Sequence, residues 1–317
     1  MTMIVIGAGP VGRTVAEQLA RAGQQVRVLT RSGGGPDLPD VTRLRVDASD
    51  PAQLTQAVQG AAAIFHCAHG SAYSAATWRA ELPRTEQTVL AAAAEVGAVV
   101  VFPESLYAYG AVHEPITERT PRTAATGKPA VRAALLRARA ASATPTVSVV
   151  ASDFFGPHTL NAHAGERMLA AVLTGRTFRA MGSADQPHSF TYVRDLAAAM
   201  ITAAGRPDLV DNPEHDVVLH APTEPALTQR QLATAYATAA GRGEPKVGVL
   251  PGWVLRAIGR VHGPTRELAE MLYQFEDAFV MDSAHSQAVL GLSPTPLTEA
   301  VATTVAWWRA CEVTRAG

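Results

Sequence analysis

Three glycines near the amino terminus have the spacing of a phosphate-binding turn. Gly7, Gly9 and Gly12 follow a short apolar run and open a segment of helix-forming composition. In such a unit the first glycine permits a tight turn, the second lets the backbone approach a pyrophosphate, and the third allows close helix packing. Free N–H groups and the helix dipole then favour anions. We predict that this turn, including Pro10 and Val11, binds a dinucleotide.

The end of the second apolar run bears on which dinucleotide binds. Sites for NAD commonly have an acidic residue there for the adenosine ribose hydroxyls, whereas this chain has Arg31 and Ser32. Arg31 can pair with a 2′-phosphate through two parallel hydrogen bonds, and Ser32 can add another. We therefore predict that NADP(H) is preferred over NAD(H). The alternative is that Arg31 is an ordinary solvated residue at a strand end.

Asp47 and Ala48 follow the third apolar run and are also assigned to the cofactor site. The Asp47 carboxylate can accept a hydrogen bond from the adenine amino group. It can equally cap the turn that leads to Pro51, because aspartate often bonds to backbone two residues ahead. Both roles remain open at this point.

The first half of the chain alternates short apolar runs with longer helix-forming segments, which predicts a parallel sheet with helices on both faces. This is an α/β fold, a Rossmann-type doubly wound sheet. The predicted strands are Ile4–Ile6, Gln25–Leu29, Arg43–Val46, Ala62–His66, Val99–Phe102 and Thr146–Val150. The predicted helices are Val11–Ala22, Pro51–Gln59, Trp78–Val96 and Pro129–Ser142.

The second half is less regular and is rich in glycine and proline joints, which suggests a smaller C-terminal substrate-binding lobe. Helices are predicted at Gln229–Ala240, Pro251–Gly259 and Leu268–Phe275. We expect an NADP-binding domain from residues 1–150 plus about 188–222. The substrate-binding lobe would contain about 151–187 plus 223–317.

Composition excludes several classes of partner. The 317 residues carry a net charge of -1, which gives no electrostatic reason to expect binding to nucleic acid or an anionic membrane. No apolar run is long enough to cross a bilayer, and no secretory signal is evident. The two cysteines, Cys67 and Cys311, suit a reducing compartment, so we expect a cytoplasmic protein. The ten histidines lack the paired spacing of zinc sites, and no metal site is predicted.

Several motifs resemble, in order and spacing, those of extended short-chain dehydrogenase/reductases, the NAD-dependent epimerase/dehydratase family. The glycine turn is of the atypical form. The resemblance implies a discontinuous Rossmann domain, a cofactor contact at Ala68, and a homodimer formed by the helices Trp78–Val96 and Pro129–Ser142. The motifs are Gly7-x-Gly9-x-x-Gly12, Val46-Asp47, Ile64-Phe65-His66-Cys67-Ala68, Tyr109-Gly110, Phe155-Gly156-Pro157, Phe190-Thr191-Tyr192-Val193-Arg194-Asp195 and Leu290-Gly291-Leu292.

The usual catalytic tyrosine of that family is missing. It lies four residues before a lysine, and Lys128 matches the lysine, but Ala124 stands where the phenol belongs. The resemblance assigns the nicotinamide ribose to Lys128 and the substrate oxygen to Ser105. Tyr107 is the candidate replacement proton donor, since a phenol near an ammonium can supply the one proton that a reductase needs. Its alternative role is to line the substrate pocket.

Further substrate contacts are assigned to His69, His158 and His188, together with Tyr107. Where sugar-nucleotide members commonly place a diphosphate-binding arginine, the chain has Glu276 and Asp277 between aromatic residues. These acids would repel a diphosphate, although Arg256 or Arg266 could substitute for the missing arginine.

The sequence thus favours an NADP(H)-dependent oxidoreductase acting on a small or medium carbonyl or hydroxyl compound, with metabolite or natural-product chemistry as its setting. Two alternatives remain, because a fold does not fix its chemistry. One is a nucleotide-sugar epimerase or dehydratase-like enzyme. The other is a non-catalytic sensor that binds NADP without turnover.

Overall fold

The structure is a computed structural model that describes residues 2–210 and 216–316. Its strands reproduce the six predicted in the first half, with ends within about two residues except at β5, which runs three residues further. The strands are β1 (Thr2–Ile6), β2 (Gln25–Thr30), β3 (Val41–Arg45), β4 (Ala61–His66), β5 (Val99–Ser105), β6 (Thr146–Ala151), β7 (Asp153–Phe155), β8 (Phe178–Met181), β9 (Phe190–Tyr192), β10 (Asp216–His220) and β11 (Val247–Leu250).

Helices connect the strands, and a 3-10 turn at Leu106–Tyr109 and a π-helical turn at His163–Arg167 complete the regular elements. The helices are α1 (Pro10–Arg21), α2 (Pro51–Ala57), α3 (Ala75–Val96), α4 (Gly127–Ala140), α5 (Met168–Thr174), α6 (Val193–Ala204), α7 (Pro207–Val210), α8 (Gln229–Ala239), α9 (Gly252–Gly259), α10 (Gly263–Ala269), α11 (Tyr273–Glu276), α12 (Ala284–Leu290) and α13 (Leu297–Ala316).

The predicted helix Leu268–Phe275 is wrong. The chain leaves the helical path after Ala269 and forms a separate short helix, α11. The break lets Leu272 and Phe275 pack against Met181 and Leu255 in a small apolar cluster. Tertiary packing therefore overrides the helical composition of this segment.

Seven strands form one parallel sheet in the order β10-β6-β5-β4-β1-β2-β3. Successive residues of a strand face opposite sides, so Val5 packs with α1 and α6 while Ile4 and Ile6 pack with α2 and α3. Both faces are covered, and the predicted Rossmann-type α/β fold is confirmed. At one edge, β3 exposes Arg43 and Arg45 to solvent.

A second core lies in the carboxyl-terminal half. It joins α5, α8 and α13 around Leu169, Leu232 and Trp308, beside the two-stranded sheets β11-β8 and β7-β9. β10 returns to the large sheet, where it pairs with β6. The division into a cofactor domain and a substrate lobe at the predicted boundaries remains a prediction.

The sheet topology places the functional loops at one edge. The chain adds β2 and β3 on one side of β1 and then adds β4, β5 and β6 on the other side, so the strand order switches between β1 and β4. Ligands bind open α/β sheets at the carboxyl ends of the strands beside such a switch point. The glycine turn follows β1, residues 67–74 follow β4, Leu106–Tyr109 follows β5, and residue 152 follows β6. These four segments are the candidate walls of a site.

Candidate active site

The glycine turn is closed on two sides and open on the third. Gly7 has φ +95°, and a side chain there would lie 2.7 Å from the backbone nitrogen of Ala68. A Cβ on Gly12 would lie 2.0 Å from the carbonyl oxygen of Gly7, whereas a Cβ on Gly9 would meet no atom of the described residues within 4 Å. The open side is where a pyrophosphate can approach the backbone.

The start of α1 is equally bare. Pro10 is its first residue, Val11 is buried below it, and in the described chain no side chain caps the first turn. A helix start leaves backbone N–H groups without internal partners, and these groups attract anions. Ala68 borders the turn through its backbone, as described for Gly7. The turn residues assigned to a dinucleotide are therefore together and accessible, with backbone rather than side chains at the surface.

Arg31 and Ser32 lie exposed after β2. The Ser32 hydroxyl accepts a hydrogen bond from the amide of Gly34 at 3.2 Å. The Arg31 charge contributes to a lowered pKa at Asp47, whose main cause is hydrogen bonding from Ser49. Arg31 therefore lies within electrostatic range of the Asp47 carboxylate, on the side of the sheet where the third strand ends.

Asp47 has the turn-capping role that the sequence left open. Its Oδ1 accepts hydrogen bonds from the Ser49 amide at 2.9 Å and the Ser49 hydroxyl at 2.7 Å. The start of α2 is capped separately by Asp50. Ala48, next to Asp47, is buried. Contacts of Asp47 and Ala48 with an adenine remain a prediction.

An aromatic cluster forms at the carboxyl ends of β4 and β5. The Trp78 ring packs edge-on against His69 at 4.5 Å and against Tyr73 at 5.5 Å, and it stacks on Tyr107 at 6.2 Å between ring centres. The two phenolic oxygens of Tyr73 and Tyr107 are 2.9 Å apart and share a hydrogen bond. Two predicted residues, His69 and Tyr107, thus meet through Tyr73 and Trp78, to which the sequence analysis gave no site role.

Tyr107 is a neutral phenol in this environment. Burial raises its pKa well above the ordinary value, and the nearby Tyr73 and Asp153 raise it further. The phenol can donate a hydrogen bond to an oxygen, but its anion is strongly disfavoured. The nearby ammonium that the sequence analysis invoked faces Tyr73 instead: Lys128 Nζ lies 4.6 Å from the centre of that ring.

Lys128 is fully buried and its ammonium is saturated. Nζ donates to the Glu267 carbonyl at 2.8 Å, to the Glu267 carboxylate at 2.7 Å and to the Glu270 carboxylate at 2.5 Å. An ammonium has three N–H donors, so none is left for a ribose. In this conformation Lys128 has no donor available for a cofactor, so its role at the nicotinamide ribose stays a prediction that requires α10 and Glu270 to withdraw first.

Ser105 ends β5 beside a buried ion network. Its hydroxyl makes a long contact of 3.4 Å with the Glu104 carboxylate, while Glu104 binds Arg132 at 2.5 Å and Arg139 at 2.9 Å. Arg139 also pairs with Glu86 at 2.6 Å, and it is 1% exposed. These ion pairs fix the end of β5 and leave the Ser105 hydroxyl weakly engaged.

The buried His188 pairs with Asp153, a partly exposed residue that the sequence analysis missed. His188 Nε2 lies 2.8 Å from Asp153 Oδ2, and its ring stacks on Phe275 at 4.8 Å. Asp153 follows β6 just as Ser105 ends β5. The rule that ligands bind at the carboxyl ends of parallel strands could therefore have found it. The glycine-proline motif at 156–157 was noted without the carboxylate that precedes it.

His158 is separate from this group. Its partners are Glu17, at 3.4 Å, and the ring of Trp307, at 4.8 Å, so it bridges α1 and α13. It shares none of the contacts that join Tyr107, His69 and Tyr73. The structure therefore gives no support to its assignment as a substrate contact.

Arg256 and Arg266, the candidates to replace the missing diphosphate-binding arginine, line a cavity of about 450 Å³ next to the Lys128 ion pairs. Arg256 is held by the Glu276 carboxylate, with one hydrogen bond of 2.8 Å, while Arg266 has no salt bridge with the described residues. The remaining lining residues are Ala75, Gly259, Arg260, Glu267, Ala269 and Glu270.

Comparison with known proteins shows the family. The model of the NAD dependent epimerase/dehydratase family matches residues 3–218. The chain therefore belongs to this family, and the resemblance seen in its motifs is confirmed. No curated protein sequence matches the chain.

Solved structures share the fold along nearly the whole chain. WbmH of Bordetella bronchiseptica, solved with NAD+, has 20% identity and a TM-score of 0.73, covering 97% of this chain and 98% of that chain. MoeE5, solved with UDP-glucose and NAD, has 20% identity and a TM-score of 0.75, covering 98% and 100%. The dTDP-glucose 4,6-dehydratase DesIV double mutant of Streptomyces venezuelae has 18% identity and a TM-score of 0.77, covering 98% and 97%.

Residues 2–210 and 216–316 contain neither a membrane-spanning helix nor a grouped set of metal ligands. No described helix is both long and apolar enough to cross a bilayer. Within the same residues, no three His, Cys, Asp or Glu side chains are grouped so that they could hold a metal ion.

Proposed function

We propose that this protein is an NADP(H)-dependent oxidoreductase that acts on a small or medium carbonyl or hydroxyl compound. The observation that carries the proposal is the open glycine turn. Its central glycine, Gly9, faces empty space at the uncapped start of α1, beside the switch point of the sheet. Membership of a family described as NAD dependent supports a nicotinamide dinucleotide as the ligand.

The residues fit a bound nicotinamide dinucleotide at the backbone turn and at Arg31. When bound, that cofactor supplies or accepts a hydride. In our proposal Tyr107 donates a hydrogen bond to the substrate oxygen, and Ser105, whose hydroxyl is only weakly engaged, adds a second one. His69 contributes a wall of the pocket through its packing on Trp78.

The first experiment measures binding and turnover separately. NADPH binding is followed by fluorescence, and NADPH oxidation is then followed with a panel of aldehydes and ketones. Consumption of NADPH supports the reductase, whereas tight binding without consumption of any substrate favours the non-catalytic sensor. Absence of binding to both NADPH and NADH contradicts both functions.

The cofactor preference is tested at Arg31. In Arg31→Ala the affinity for NADPH should fall roughly 10-fold or more, while NADH affinity changes little, because a charge-assisted bond to a phosphate contributes about 1.5–3 kcal/mol. Arg242→Ala removes another exposed arginine and serves as the control. Equal losses for both coenzymes would refute the preference.

A nucleotide-sugar epimerase or dehydratase activity is the second candidate. It is favoured by the arginine-lined cavity and by structural neighbours that include MoeE5 with UDP-glucose and NAD. Against it stand Ala124 in place of the tyrosine and the acids Glu276 and Asp277. Calorimetric titration with UDP-glucose and dTDP-glucose separates the two: binding that Arg266→Ala abolishes would favour this candidate over the reductase.

The assembly and location of the protein remain proposals. We propose a homodimer formed by α3 and α4, and a cytoplasmic location. Light scattering of the purified protein tests the first, since a monomer at working concentration would contradict it.

A further inference from the structure

Each ring nitrogen of His188 faces an oxygen atom. His188 Nδ1 lies 2.9 Å from the carbonyl oxygen of Gln274, and a carbonyl can only accept, so Nδ1 carries a hydrogen. Nε2 lies 2.8 Å from Asp153 Oδ2, and two lone pairs would repel at that distance. A second hydrogen must therefore lie between them, as an imidazolium facing a carboxylate or as an imidazole facing a carboxylic acid.

One side of this pair faces solvent. The His188 side chain is 2% exposed and the Asp153 side chain is 21% exposed. Oδ2 of Asp153 is bonded to His188, while Oδ1 has no hydrogen-bond partner within residues 2–210 and 216–316. The imidazole thus lies behind the carboxylate, and protons can enter or leave through the Asp153 edge.

The sheet register places this edge beside the phenols. Ser105 of β5 pairs with Ala151 of β6, and Tyr107 and Asp153 each lie two residues beyond that pair. Burial raises the pKa of Tyr107 and Tyr273, and the Asp153 carboxylate raises it further at both. Burial also acts to raise the pKa of Asp153, but the hydrogen bond and charge of His188 outweigh this and lower it.

The titratable groups around the pair come from several segments. They include the Glu270 carboxylate, which is held by Lys128 and raises the pKa of Tyr73 and Tyr273. The other groups are Tyr73 after β4, Tyr107 after β5, His163 and Arg167 in the π-helical turn, and Tyr273 in α11.

We propose that the Asp153–His188 pair supplies the proton that reaches the substrate oxygen, and that Tyr107 binds this oxygen without becoming an anion. The inference rests on the proposed reductase function. As the carbonyl is reduced, its carbon would gain the hydride that bound NADPH supplies, and its oxygen would gain the proton of the pair. The product is an alcohol, and the pair is left as a carboxylate and a neutral imidazole. A water proton entering at Asp153 Oδ1 restores it.

His188 is a positioning residue in this scheme, and Asp153 is the group that faces the substrate. The test uses Asp153→Asn, because an asparagine amide can donate to Nε2 and keeps the buried contact satisfied. Asp153→Glu is the conservative variant, and Asp185→Asn, at an exposed acid paired with Arg230, is the control. Melting temperature and NADPH affinity are measured for all of them.

The first readout is independent of turnover. Long-range ¹H–¹⁵N spectra of the histidine-labelled protein should show both nitrogens of His188 protonated at pH 7, with the signal assigned by its loss in His188→Gln. In Asp153→Asn the ring should become the neutral form with hydrogen on Nδ1 alone. A neutral His188 ring in the unaltered protein, without a proton on Asp153, would overturn the proposal.

The second readout is the pH profile of carbonyl reduction. Loss of a proton donor typically costs 10²–10⁴-fold in rate, so kcat/KM in Asp153→Asn should fall roughly 100-fold with unchanged NADPH affinity. In the unaltered protein kcat/KM should decline at alkaline pH, and this decline should be absent in Asp153→Asn. Asp153→Glu should restore part of the activity. Near-normal turnover and profile in Asp153→Asn would refute the pair as donor while leaving the reductase function intact.

Discussion

The glycine turn and the carboxyl edge of β5 and β6 are two walls of the proposed site, but they are built in opposite ways. The turn presents backbone, and its central glycine faces open space. The edge and the segments next to it, after β4 and at the start of α4, present side chains that already bind one another: Tyr73 with Tyr107, Lys128 with two glutamates, and Asp153 with His188. The turn is ready for a ligand, whereas the edge must exchange internal contacts for external ones.

This difference separates binding that any dinucleotide could share from chemistry that is specific to this protein. A backbone turn binds the phosphates common to all dinucleotides, because N–H groups and a helix dipole read only charge. In the proposed function, the side chains of the edge determine which oxygen is bound and where a proton comes from. Variants at the turn should therefore remove cofactor binding, and variants at the edge should change chemistry or stability.

The largest effect is expected at Gly12. In Gly12→Ala the new methyl group would lie 2.0 Å from the Gly7 carbonyl oxygen, so the turn and α1 must separate. Overpacking typically costs about 1–3 kcal/mol, and we expect a loss at the upper end of that range together with loss of NADPH binding. Urea unfolding and fluorescence titration measure the two.

Gly9→Ala is the matched variant at the same turn. Its methyl group meets no protein atom within 4 Å in the described structure and its φ of -69° suits alanine, so stability should be unchanged. NADPH affinity should nevertheless fall, because the methyl group occupies the open side. If both variants were equally stable, the close packing of Gly12 would be refuted.

A smaller loss is expected at Lys128, on the other wall. Lys128→Met removes the buried ammonium and leaves Glu267 and Glu270 facing an apolar group. Breaking a buried ion pair costs about 3–5 kcal/mol, but these carboxylates are 21% and 27% exposed and can be hydrated. We expect about 2 kcal/mol in urea unfolding. Lys246→Met, at the exposed second lysine, should change nothing, and equal stability of the two variants would contradict the ion pairs.

The smallest effect concerns pH and His66, which ends β4 between the two walls. Burial lowers the pKa of His66 to about 4, below its usual 6.5. Between those values the unfolded chain binds more protons, so stability decreases as the pH falls and this contribution levels off below pH 4. From pH 7 to pH 5 the part of this loss that His66 contributes should be about 1–2 kcal/mol. In His66→Leu the loss of stability between pH 7 and pH 5 should be smaller. His113→Gln, at an exposed histidine, should leave that loss unchanged.

The sequence was sufficient to predict the parts of the structure that depend on residues close together along the chain. Strand and helix positions of the first half follow from apolar spacing, and the glycine turn lies within six residues. It was insufficient where contacts span the chain: Lys128 meets Glu270 across 142 positions, and His188 meets Gln274 across 86. No local pattern encodes such partners. The missing tyrosine at Ala124 was visible, but the pairing of Tyr107 with Tyr73 was not.

The charged edge strand β3 has a consequence for association between molecules. An exposed strand edge is a template on which another chain can add its own strand, and this leads to aggregation. Arg43 and Arg45 project from β3 into solvent, and Arg43 pairs with Asp37 at 3.1 Å. Two such edges would have to bring like charges together. The arginines therefore protect the sheet against uncontrolled growth from the β3 side.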